Sequence, residues 1–350
     1  MMRIQEINFL RVFFMYMIFF HHFNYDYMGG DCAVAAFFII SGFCMTLGYG
    51  DKVTKAGFKW KEFMKKRMIK LYPLHIVAFI LAWIGFGCPI PHNLWNTAKL
   101  CLNLTLLQSW IPIKPIFYSY NAPSWYLCDI LFFAAVFPFL FRLIKKTSVA
   151  TKIILAVVAF ALYFFLVGYL NEDMRLGLLY VNPIARLLDC TIGILLALLF
   201  LHLREQERYT NWIENHIHII SIAFWLFLGA VFLQSLYPLF FDKIYTAAYW
   251  PMEALLVLTL AILGGASSRN TVTKRLLNCK AFVFLGSCSL SFYLLHIPVI
   301  NFMHFLNEKW YADSRNIVGA IVCLIVTLIV AIIANYLIEQ KFTNWLKSKI

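Results

Sequence analysis

Residues 317–338 read IVGAIVCLIVTLIVAIIANYLI, a run with no charged side chain. About twenty helical residues, rising roughly 1.5 Å each, match the ~30 Å hydrocarbon core of a bilayer. IILAVVAFALYFFLVGYL (153–170) and VAFILAWIGFGC (77–88) repeat the pattern. Inside lipid the backbone must satisfy its own hydrogen bonds, which leaves helices or closed barrels. A barrel strand alternates apolar and polar residues; these runs do not alternate. The chain therefore reads as an all-α, polytopic transmembrane bundle. Its 13% of charged residues is about half the usual share in soluble domains. Nothing resembling a linker or an appended soluble domain interrupts residues 1–350, so a single integral-membrane domain is expected.

The formal charge of +13 could suggest nucleic acid, but its distribution points elsewhere. Lysine and arginine gather in DKVTKAGFKWKEFMKKRMIK (51–70), RLIKKTSVATK (142–152), RNTVTKRLLNCK (269–280) and the tail KFTNWLKSK (341–349). Short basic loops beside apolar spans mark the cytoplasmic side of a membrane, and no nucleic-acid partner is expected. The nine cysteines are scattered without a C-x-x-C pair, against a disulfide framework or a zinc site. The histidines show no metal-ligand spacing, and no metal is expected. The first apolar segment lacks a small-residue cleavage site and reads as a retained span.

Ten spans are placed near 7–24, 31–50, 71–88, 124–143, 153–170, 183–203, 217–236, 248–265, 281–305 and 316–338. The apolar stretch 98–111 is short for a crossing. Were it to cross, the basic loops 51–70 and 142–152 would lie on opposite sides. A re-entrant or interfacial 98–111 brings every basic loop and both termini to the cytoplasm.

The first span, RVFFMYMIFFHH (11–22), carries an arginine at one end and histidines at the other. Eleven residues are close to a whole number of turns, so Arg11 and His22 share a helix face roughly 16 Å apart along the axis. His21 points about 100° away. Arg11 could snorkel to one interface and His22 cap the other. Ionisable residues within membrane helices more often line an interior or aqueous cavity and carry function. Arg186 and Asp189 are spaced to pair with one another. Ser41, beside Gly42, reads as a small residue permitting close packing.

Several segments, in order along nearly the whole chain, resemble the integral-membrane acyltransferase-3 family, which O-acylates cell-surface sugars. They are R-x10-H in the first span, FFIISGF (37–43), FMKKRMIKLYP (63–73), APSWYLCDILFF (122–133), LGSCSLSFYLLHIPV (285–299) and YLIEQKF (336–342). Lys70 stands where the family carries the second arginine of R-x-x-R, Ala35 near the place of an acidic residue, and Lys341 in place of a proline. Asp129 lies one position from the glutamate common after the tryptophan.

The resemblance implies transfer of an acetyl or other short acyl group from cytoplasmic acetyl-CoA or a related acyl-CoA. The acceptor would be a hydroxyl of a sugar or polysaccharide of the cell envelope. The setting would be the lipid bilayer of a bacterial cytoplasmic (inner) membrane. Arg67 and Lys70, one turn apart, suit coenzyme A phosphates. His22 is the candidate base or transient acyl carrier, and Asp129 could orient its ring. Arg11, Trp125 and His296 are assigned to the substrate. The alternative is a secondary transporter or lipid-linked sugar flippase without acyl transfer. Against it, no matched pair of glycine- or proline-broken spans marks two halves.

Overall fold

The computed structural model of the chain describes residues 4–23, 28–85, 91–236, 245–266, 271–306 and 316–349, and no strand occurs among them. The main helices are α1 (Ile7–His22), α2 (Gly30–Thr54), α3 (Trp60–Gly85), α4 (Leu94–Leu104), α5 (Trp125–Lys146) and α6 (Val149–Tyr169). They continue with α7 (Pro183–Glu205), α8 (Ile217–Leu236), α9 (Trp250–Gly265), α10 (Lys280–Ser287), α11 (Ser289–Leu306) and α12 (Ile317–Ala334). Among the described residues, eight helices are long and apolar enough to cross a membrane, and α9 is a shorter apolar helix. With α1 packed among them, this agrees with the helical bundle of about ten spans read from the hydropathy. One span differs in detail: 281–305 divides at Cys288 into α10 and α11.

α2 is the axis of the bundle, with 72% of its apolar window buried against 6% for α6. Its small residues explain why. A Cβ on Gly42 would collide with the Cys190 carbonyl of α7, and one on Gly193 with the Ile39 carbonyl of α2. Two helix backbones touch there, the close approach that small residues permit between membrane helices. α1 packs against α2, α10 and α11, and α3 against α5 and α11. α6, at the edge, presents Ile154, Val157, Val158 and Phe165 outward.

Between residues 94 and 121 no described helix is long enough to cross a membrane. α4 has 11 residues, a rise of only about 16 Å, and the chain reverses at Leu106, whose φ is +55°. Irregular backbone at membrane depth is tolerated only where protein satisfies it. Here Asn103 Nδ2 donates to Ser119 Oγ at 2.6 Å, Gln108 Nε2 to Ser124 Oγ at 3.1 Å, and Ser109 Oγ to the Trp125 carbonyl at 3.0 Å. Asn121 Nδ2 donates to the Leu294 carbonyl at 2.9 Å. That carbonyl is the one Pro298, lacking an N–H, leaves open four residues later.

The basic segments share one end of the bundle. Arg142 Nε donates to the Val53 carbonyl at 2.6 Å, and a groove there is lined by Lys52, Lys55, Lys145, His202 and Glu205. Asn278 Nδ2 donates to Glu6 Oε1 at 2.8 Å, bringing the 271–280 segment beside the start of α1. His22 lies at the opposite end.

Candidate functional site

Toward the basic end, α1, α2, α3, α5 and α11 enclose a cavity of about 250 Å³. Arg11, Arg67 and Lys70 line it, with Glu339 as the one carboxylate on its wall among the described residues. The helices dictate this convergence. Arg11 sits a turn inside the start of α1, and Arg67 and Lys70 follow one another along the face of α3 turned to the bundle. The Arg67 guanidinium lies 4.5 Å from the centroid of Tyr49 and 5.1 Å from that of Phe63. Such contacts stabilise by about 0.5–1 kcal/mol when exposed and by more when desolvated. They hold the fork in place while its buried Nε has no hydrogen-bond partner. Arg11 reaches Asn8 Oδ1 at 3.4 Å and Cys44 Sγ at 3.6 Å. Three cations facing one carboxylate in a half-closed space make a site for a polyanion.

Much of the remaining wall is apolar, from Phe37, Ile40, Leu127 and Ile130, and Ser41, Tyr126 and Tyr293 are among its hydroxyls. Ser41 Oγ and Tyr126 Oη are 3.2 Å apart, and the Tyr126 and Tyr293 rings meet at 5.1 Å. Ser41 is thus a cavity-facing hydroxyl, and it is the adjacent Gly42 that makes the close helix contact. Glu339 arrives through a π-helical segment, Asn335–Phe342. Its Oε1 accepts from Ser291 Oγ and from Asn335 Nδ2. π-Helical insertions of this kind concentrate at functional sites.

The sequence-selected residues divide into three groups. Arg11, Arg67 and Lys70 meet in the cavity. His22 lies beyond it at the far end, exposed, with its ring 5.1 Å from that of His296. On the α1 face between Arg11 and His22, Met15 and Ile18 are buried in the core and do not line the cavity. Trp125 is buried against Tyr180 at 5.1 Å and Phe38 at 6.1 Å and does not line the cavity.

Asp129 is 2% exposed, and neither carboxylate oxygen has a hydrogen-bond partner. The charges that act on it are Arg186 and Asp189 of α7, which makes it part of a buried charged cluster. In that cluster Arg186 Nη1 donates to Asp189 Oδ2 at 3.0 Å and Arg186 Nε to the Tyr180 carbonyl, while Trp250 Nε1 donates to Asp189 Oδ1. The expected Arg186–Asp189 pair is present. Glu253 joins it, fully buried, with Cys32 Sγ donating to Oε1 at 3.3 Å. Among the described residues, no three His, Cys, Asp or Glu side chains converge as a metal site.

Residue spacing could not indicate Tyr126, Tyr293, Cys44 or Glu339 as cavity walls. The weak signal was positional, since Tyr126, Tyr293 and Glu339 lie inside segments already singled out by resemblance.

Comparison with known proteins gives a consistent picture. The family model described as an acyltransferase domain, acyltransferase-3, matches residues 4–336. The chain is 30% identical over 335 residues to the acyltransferase MdmB of Streptomyces mycarofaciens, covering 90% of this chain and 80% of that protein. It is 24% identical over 364 aligned positions to a provisionally named O-acetyltransferase, SAR0937, of Staphylococcus aureus (strain MRSA252). That match takes in 94% of this chain and spans 57% of the relative's length. Protein 2 in the picA locus of Rhizobium radiobacter shares 29% identity over 131 residues, 33% of this chain and 68% of that protein. No solved structure matches.

Proposed function

The chain belongs to the acyltransferase-3 family, and from that premise we propose that it moves an acetyl or other short acyl group from cytoplasmic acyl-CoA to a sugar hydroxyl of the cell envelope. The observation that carries this reading is the convergence of Arg11, Arg67 and Lys70 on one cavity at the basic end of the bundle. Coenzyme A is a polyanion found in the cytoplasm, and the positive-inside rule puts that end there. The apolar wall beyond the cations suits an uncharged thioester arm. Both termini are then cytoplasmic, and the protein resides in the bacterial cytoplasmic membrane.

In this reading His22 is the general base at the far end, where an acceptor sugar arrives. As the acceptor oxygen bonds to the thioester carbonyl carbon, His22 takes its proton. The C–S bond then breaks and the coenzyme A thiolate leaves, taking a proton to become the thiol. Base catalysis of this kind contributes about 10²–10⁴ in rate. No group forms a lasting bond to the chain, and no metal is called on.

The test compares cell-envelope glycans, by mass spectrometry, from cells carrying the wild-type gene, no gene, or Arg67→Ala. Loss of one acyl mass in both altered strains is expected. Unchanged acyl content with a lost envelope sugar would instead favour transport of a lipid-linked sugar.

A further inference from the structure

The far end of the bundle holds two imidazoles in contact, one exposed and one fully buried. The His22 and His296 ring centroids are 5.1 Å apart with planes inclined by 33°. His22 is exposed and His296 is 0% exposed. One nitrogen of His296 is accounted for: Nδ1 lies 2.6 Å from the Tyr293 carbonyl, a turn earlier on α11. A carbonyl only accepts, so Nδ1 carries the hydrogen and donates it. In the neutral ring Nε2 is then an imine with a free lone pair. It is buried without a hydrogen-bond partner. An unpaired buried acceptor costs about 1–3 kcal/mol, and a native structure that keeps one does so for a reason.

The His296 ring is held. Phe292 stacks on it, with planes 6° apart at 6.3 Å, and Tyr293 closes another side at 5.8 Å. Among the described residues, the titratable groups that face His22 are His296 and His21, with no carboxylate between them. The charges that act on Asp129 are those of Arg186 and Asp189. An N–H···N bond of about 2.9 Å between two imidazoles sets their centroids roughly 5 Å apart. The observed separation meets that condition.

We propose that His296 is the positioning residue for His22: its Nε2 accepts the His22 N–H and turns the other His22 nitrogen, lone pair outward, to the acceptor hydroxyl. The proposal rests on the reading of His22 as the base. His22 binds the acceptor's proton as the C–O bond forms, and its imidazolium keeps the hydrogen bond to neutral His296. The proton then leaves with the coenzyme A thiolate as the C–S bond breaks. A neutral imine does here what a carboxylate does in a hydrolase triad, fixing the tautomer and making the ring more nucleophilic.

The test uses full-length protein in lipid nanodiscs and diethyl pyrocarbonate, which acylates unprotonated imidazole. Peptide mass spectrometry reads modification at His22, with His21 as internal reference. His296→Asn keeps an N–H for the Tyr293 carbonyl but places nothing at Nε2, whereas His296→Gln restores an acceptor there. Thermal unfolding of each variant checks that it is folded. His296→Asn should slow His22 modification about tenfold and leave His21 within twofold, with His296→Gln recovering most of the loss. A His22 rate within twofold of wild type in His296→Asn overturns the proposal. So does an equal slowing at His21, which would mark a merely structural role. Acetyl transfer from acetyl-CoA is measured separately. If His22 modification responds as expected but His22→Ala protein still transfers, the positioning contact stands and the base assignment falls.

Discussion

Removing the Arg67 side chain isolates the donor half of the site. The guanidinium lines the cavity with Arg11 and Lys70, already braced by Tyr49 and Phe63, so little order remains to be imposed when a phosphate arrives. A hydrogen bond to a charged group is worth about 1.5–3 kcal/mol net. At about 1.4 kcal/mol per tenfold, Arg67→Ala should weaken acetyl-CoA binding by roughly 10- to 150-fold. Arg67 is half-buried, and solvent screening places the effect toward the lower end of that range. Arg67→Lys keeps the charge but loses the fork and the ring stacking, and should fall between wild type and alanine. Lys70→Arg should bind as well as wild type or better. Equilibrium binding to purified protein is compared for acetyl-CoA and for acetyl-pantetheine, which lacks the phosphates. The loss should appear for acetyl-CoA alone and should shrink as salt rises, because screening weakens exposed charge pairs. Equal losses for both ligands, or undiminished acetyl-CoA affinity in folded Arg67→Ala, would refute the phosphate assignment and leave Arg67 as a membrane anchor.

Three further outcomes follow from the geometry. His22→Ala should lower acyl transfer a hundredfold or more, on the order of the contribution of a general base. His21→Ala should keep most activity, since that ring packs over Gly30 at the start of α2; comparable loss in both would remove His22 from the mechanism. On a cysteine-free background, Thr147→Cys should resist membrane-impermeant reagents applied outside, and His92→Cys should react. Asn93 is avoided because its side chain caps α4 through the Asn96 N–H; outside labelling of position 147 would overturn the re-entrant placement of 98–111. Arg186→Met should destabilise the bundle by about 3–5 kcal/mol by leaving Asp189 buried without its cation. Replacing both by apolar residues should cost less, and thermal unfolding that ranks the double variant below the single one would count against a paired role.

The passes were legible because hydrocarbon thickness fixes helix length and hydropathy reports it directly. The cationic cavity was half legible: positive-inside loops put Arg67 and Lys70 at one end, and a three-residue spacing puts them on one face. The same local rule found the Arg186–Asp189 pair. Contacts between distant segments left no such mark. Ser41 meets Tyr126, and Asp129 lies under the influence of Arg186 rather than beside His22; no periodicity within either segment encodes that. Glu339 was hidden for a different reason. The π-helical turn of Asn335–Phe342 breaks the 3.6-residue register on which face assignments rest, so counting along the helix would not have aimed its side chain correctly.

The first span shows where face geometry stops being sufficient. Arg11 and His22 do lie on one side of α1, but Met15 and Ile18 fill the face between them, while Tyr126 and Tyr293 stand together on the cavity wall. Connection between the two ends passes instead through α11. Tyr293 forms part of the cavity wall, and His296, one turn on, donates to the Tyr293 carbonyl and lies against His22. One helical turn thus joins the wall of the donor site to the partner of the proposed base. Pro298 leaves the Leu294 carbonyl in that turn without its helical donor, and Asn121, just before α5, takes it. The segment between α4 and α5 therefore has a mechanical role: through Asn121 it braces the turn of α11 that carries both Tyr293 of the cavity wall and His296.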